Sequence, residues 1–80
     1  MTREEMDQAI LKLIEDEAEA NGTTVGVLIG HDRKAWRCAI RQRIMWRARM
    51  ELKASYPAIA RVMHRTHPAV LRTVRNYEER

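Results

Sequence analysis

The 80-residue sequence contains no phenylalanine, one cysteine, two prolines and three glycines. Lacking Phe and holding only two Trp, it must build its core mainly from Ile, Leu, Val, Met and Ala. The single Cys38 excludes an internal disulfide and points to a reducing compartment, where it reads as a small buried hydrophobe. No stretch approaches the roughly 20 consecutive apolar residues that a bilayer span needs, and no apolar leader opens the chain. The cytoplasm is the expected location, with no membrane partner.

Catalytic and metal chemistry also lack their usual patterns. The three His and one Cys offer no paired spacing of the kind a four-ligand zinc site requires. His64 and His67 are close in sequence but span an expected turn. No Ser or Cys lies in a nucleophile motif, and a chain this short has little room for a cleft. No Gly-rich phosphate loop is present. The expectation is a non-enzymatic protein with no catalytic residues, cofactor or metal.

What the sequence has in quantity is arginine, unevenly placed. Residues 1–32 hold two basic and eight acidic residues, whereas residues 33–80 hold thirteen basic and three acidic ones. The net charge of +4 therefore conceals an acidic segment followed by a strongly basic one. Arg outnumbers Lys twelve to three, and the planar guanidinium suits bidentate contact with phosphates and base edges. A basic face this dense is the electrostatic footprint of a nucleic-acid partner. An anionic membrane is a poorer match, because no clean apolar face lies opposite the charges.

Patterning predicts a single all-α domain of four to five helices. Thr2-Arg3-Glu4-Glu5 is a capping box that starts a helix over about Arg3–Ala20, with Met6, Ile10, Leu13 and Ile14 at helical spacing. Asn21-Gly22 ends it. Thr23–Gly30 is ambiguous between strand and helix, but no second strand candidate exists to pair with it, which favours a short helix. His31–Lys34 reads as a basic loop. From about Lys34 to Ala54 there is no Gly or Pro, and Trp36, Ile40, Ile44, Ala48 and Leu52 recur every four residues as one inward stripe. Trp36 and Trp46 lie about 280° apart around that helix, so they share no surface and read as packing residues.

The C-terminal third has a distinct rhythm. Ser55-Tyr56-Pro57 marks a boundary, and Pro57–Met63 forms a short helix with Ile59, Val62 and Met63 inward. His64-Arg65-Thr66 is a tight turn, after which a helix capped by Thr66 runs to about Glu79 with Val70, Leu71, Val74 and Tyr77 inward. Two short helices with this spacing, the second opening on polar and basic residues, constitute a helix-turn-helix. The resulting organisation is acidic supporting helices over 1–32, a basic loop and long helix over 33–54, and the helix-turn-helix over 55–80.

These residues resemble the C-terminal DNA-binding domain of the bacterial replication initiator DnaA. The likeness is carried by Arg41-Gln42, Met45, Ala48-Arg49, Ser55, Pro57, Ile59 and the run Met63-His64-Arg65-Thr66-His67-Pro68-Ala69-Val70-Leu71. The family pattern has an Arg-Gln pair, a Ser-x-Pro-x-Ile step and a signature close to Gly-Arg-Asp-His-Thr-Thr-Val-Leu. The resemblance implies that Arg41 enters the minor groove and that Arg33, Lys34 and Arg37 contact phosphates. It implies that Ser55, Arg65 and the opening of the last helix, Thr66-His67-Pro68-Ala69, lie at the duplex. Of the family's Asp-His-Thr-Thr, only His67 is kept. Pro68 and Ala69 can still touch thymine methyls, and Arg72 one turn on can reach a guanine. The expected role is sequence-preferring binding of double-stranded DNA by a stand-alone module that regulates replication initiation or transcription, as in a phage or mobile element. The competing expectation is an interaction protein whose acidic first helix docks a replication or transcription protein.

Overall fold

The computed structural model describes residues 2–79 as five helices: α1 (Arg3–Ala20), α2 (Val25–Ile29), α3 (Ala35–Glu51), α4 (Tyr56–Met63) and α5 (His67–Glu78). No strand occurs among the described residues, so the ambiguous Thr23–Gly30 segment resolves as helix. Every helix contributes to one core. Ile10 and Ile14 of α1, Leu28 of α2, Ile44 of α3, Ile59 and Met63 of α4, and Val70 and Val74 of α5 are all almost wholly buried.

The termini follow from local chemistry. Thr2 Oγ1 accepts from the amide of Glu5 at 3.1 Å while Thr2's own amide donates to Glu5 Oε1, completing the capping box. At the far end of α1, Gly22 takes the left-handed conformation, and the Thr23 amide returns to the Ala18 carbonyl at 2.9 Å. Thr24, Ser55 and Thr66 cap α2, α4 and α5 by accepting from the amides of Val27, Ala58 and Ala69. Pro57 and Pro68 lie in the first turns of their helices, where a missing amide hydrogen costs nothing.

The inward face of α1 holds the expected Ile10, Leu13 and Ile14, with Met6 half-buried and Glu17 and Ala18 buried as well. Glu17 is no stray. Its carboxylate accepts from Arg43 Nε at 2.6 Å and Nη2 at 3.1 Å, and Arg47 stands 3.8 Å away. Asp7 receives Arg61 in the same way. The acidic and basic parts of the sequence are thus partly matched against each other within the fold.

Helix α3 corrects the expected stripe. Ile40, Ile44 and Ala48 are buried as read, but Trp36 is 47% exposed and Arg41, expected at the surface, is only 4% exposed. The buried arc is two residues wide, running through Ile40, Arg41, Ile44, Met45 and Ala48. Trp46 is half-buried, its ring 5.3 Å from that of Tyr77 on α5. Helices α4 and α5 are joined by the three residues His64, Arg65 and Thr66. His64 sits at φ 57°, ψ 47°, a left-handed turn without glycine, and the Arg65 amide bonds back to the Ala60 carbonyl at 2.8 Å.

Candidate nucleic-acid interface

Helix α5 turns Val70 and Val74 to the core and carries Pro68, Arg72, Arg75 and Asn76 outward. Pro68, Leu71, Arg72, Arg75, Asn76 and Glu79 line a shallow groove of about 320 Å³ along this outer face. Residues 68, 72, 75 and 79 recur at helical spacing, so they form a single ridge. Arg72 and Arg75 are exposed and make no ion pair among the described residues. Arg75 belongs with Arg72 on this ridge and was missed from sequence, although its place three residues further on was the available signal.

The first turn of α5 is tied down. Thr66 is exposed, but its hydroxyl already accepts from the Ala69 amide. Ala69 is half-buried, and Pro68 is exposed. The exposed His67 ring stacks on Tyr56 with centroids 6.1 Å apart and planes 18° off parallel. The Arg49 guanidinium lies 4.6 Å from the Tyr56 centroid. Nothing in the sequence pattern marks this Arg49–Tyr56–His67 cluster, which joins the end of α3 to the starts of α4 and α5. Ser55 is exposed at the start of α4, its hydroxyl committed to the Ala58 amide.

The loop between α2 and α3 supplies the other cations. Arg33 and Lys34 are exposed and have no ion-pair partner among the described residues. Arg37 differs: it is bound to the Asp32 carboxylate, with its guanidinium 5.0 Å from the Trp36 ring centroid. It is therefore a braced residue and not a free phosphate ligand.

Arg41 requires a clear correction. Its Nε donates to the Leu28 carbonyl at 2.7 Å, Nη2 to the Val27 carbonyl at 2.7 Å and to Asp32 Oδ1 at 3.0 Å, and Nη1 to the Asp32 carbonyl at 2.8 Å. A guanidinium has five donors, and these bonds occupy it from every side. Arg41 is thus not placed to enter a groove. Arg65 is held similarly, with Nη1 on the carbonyls of Ile29 (3.1 Å) and Met63 (2.9 Å) and Nη2 on that of Gly30 (2.5 Å). Burial, and then the nearby charge of Arg41, holds the Arg65 pKa below the ordinary arginine value. The physical reason for both placements is α2 itself. A five-residue helix leaves its last carbonyls without intrahelical donors, and two guanidinium forks supply them.

The loop and α5 meet across an open cleft of about 210 Å³, lined by His31 and Asp32 on one side and Thr73 on the other, with Cys38, Arg41 and Gln42 between. Cys38 is half-buried at this cleft, not sealed in the core. Among the described residues, no group of three His, Cys, Asp or Glu side chains is placed to hold a metal ion. No helix there is long and apolar enough to cross a membrane. Compared with known protein families, curated proteins and solved structures, the chain matches none.

Proposed function

We propose that this chain is a reader of double-stranded DNA, with α4 and α5 as its helix-turn-helix and α5 as the helix that enters the major groove. The observation that carries the reading is the outer ridge of α5, where Arg72 and Arg75 stand free beside Pro68 on a helix whose opposite face is locked into the core. Arg is the side chain best matched to the acceptor pair of a guanine edge, and Pro68 offers an apolar surface to thymine methyls. Arg33 and Lys34 in the preceding loop neutralise phosphates and set the register on the duplex. The docking mode is that of a module resembling the DnaA C-terminal domain, and the biological role is regulation of replication initiation or transcription in the cytoplasm.

The reading involves binding, with no catalytic step. The alternative, a partner-docking role for α1, loses Asp7 and Glu17 to Arg61, Arg43 and Arg47 and would rest on the exposed Glu4, Glu15 and Glu19. The test is selection from a random duplex library, followed by salt titration of the winning site. With Arg33, Lys34, Arg72 and Arg75 at the duplex, log affinity falls against log salt with a slope of about −3 to −4. A slope near zero, or a library that yields no preferred sequence, sinks the proposal.

A further inference from the structure

Trp36 is the most exposed large hydrophobic residue described in the chain, and its surroundings differ from those of Met50, the other exposed one. Met50 adjoins the carboxylate-bearing Glu51. Trp36 follows Arg33 and Lys34, both exposed and unpaired, in the first turn of α3, and Ala35 beside it and Ala39 one turn on are exposed as well. Its indole is not loose. The Arg37 guanidinium lies 5.0 Å from the ring centroid and is anchored by Asp32, which also receives Arg41. A large aromatic surface is thus braced, presented to solvent and bordered by free positive charge.

Resting on the duplex-reading role above, we infer that Trp36 is a DNA-contact residue, packing its indole on the sugar–base edge of the strand whose phosphates Arg33 and Lys34 hold. Charge complementarity selects this occupant. An apolar protein partner would leave two unpaired cations at the rim without counter-charge, whereas a nucleic-acid strand presents phosphates about one base step from each apolar sugar and base face. Apolar wedges against base steps are a recurrent device of proteins that grip DNA from the groove side.

Salt separates this contact from its neighbours, because an uncharged ring releases no counterions. Trp36→Ala should weaken duplex binding about tenfold at every salt concentration and leave the salt slope unchanged. Trp36→Phe should recover part of the loss. Thermal melting of both variants should match the parent protein, since the ring is not part of the core. In the Trp46→Phe protein, Trp36 is the one remaining indole, and its emission should change on duplex addition and saturate with the bound fraction. If the parent protein binds duplex but Trp36→Ala binds equally well and the emission is unmoved, the inference is overturned while the duplex-reading role stands. A response to single-stranded DNA as strong as that to duplex also overturns it. Failure of the parent protein to bind any duplex overturns the underlying role.

Discussion

Two sets of cationic side chains in this molecule have opposite fates. Arg41 and Arg65 point inward and close the end of α2 by donating to the carbonyls of Val27, Leu28, Ile29, Gly30 and Asp32. Arg33, Lys34, Arg72 and Arg75 point outward and have no acidic partner among the described residues. The difference lies in what each neighbourhood lacks. A very short helix needs donors for its carbonyls, and a nearby guanidinium is drawn in; the cations of the loop and of the outer face of α5 stay exposed, ready for an anionic partner. Counting basic residues therefore overstates the surface charge that DNA would meet.

Breaking the inner set should have the largest effect. Arg41→Ala removes the donor from the Leu28 and Asp32 carbonyls and leaves the Asp32 carboxylate with one fewer partner, costing about 3–5 kcal/mol of stability. Arg41→Lys should lose nearly as much, since a point charge cannot reproduce the fork. Urea unfolding measures both. A stable Arg41→Ala protein with a shallower salt slope would reverse the assignment and return Arg41 to the groove.

The outer set should behave in the complementary way. Arg72→Ala should flatten base preference at one or two positions by about 1–3 kcal/mol, read by competition between selected and mutated duplexes. Arg33→Ala should weaken all duplexes alike and reduce the salt slope by about 0.9, while stability stays within about 0.5 kcal/mol of the parent protein. Unequal losses across sequences for Arg33→Ala would move it from phosphate to base contact.

A smaller effect is expected at the turn that orients α5. His64 occupies a left-handed conformation that costs a side-chain-bearing residue energy, so His64→Gly should raise stability by up to about 1 kcal/mol. A destabilised variant would show that the imidazole makes a compensating contact.

The smallest effect concerns two paired carboxylates, Asp7 on α1 and Glu51 at the end of α3. The Arg61 hydrogen bond holds the Asp7 carboxyl below its usual 3.8, and the Arg47 hydrogen bond holds Glu51 below 4.5. A lowered folded-state pKa gives stability that is fully present above the unfolded value and lost as pH falls through the folded one. Stability should therefore decline below these ordinary values, and Asp7→Asn should make that decline slightly shallower in an acid titration of the unfolding midpoint. Both groups are at the surface, so the change should be modest.

Much of the fold was legible because its signals are local. The capping box at Thr2, the Gly22 stop, the Ser55 and Thr66 caps and the apolar periods of α1, α4 and α5 fix helix limits to within a residue or two. The candidate interface was legible only in part. Arg33, Lys34 and Arg72 do reach solvent, while Arg41 is buried, Arg65 is half-buried and bound to backbone carbonyls, and Arg37 is held by Asp32. One clue was present for Arg41: it stands four residues before Met45 and seven before Ala48, in phase with a buried stripe. A charged residue in such a stripe reads equally well as a misplaced period, so the pattern alone did not commit it.

By itself, the sequence determined an all-helical domain, the places where its helices start and stop, and a separation of acidic from basic residues, because capping, turn chemistry and apolar period act over a few residues. The tertiary structure decided which arginines are structural and which are free, and how Glu17 meets Arg43 and Arg47. Those outcomes join residues 9 to 36 positions apart. They depend on which carbonyls and carboxylates each neighbouring helix leaves without a partner, a quantity defined only once the helices have packed.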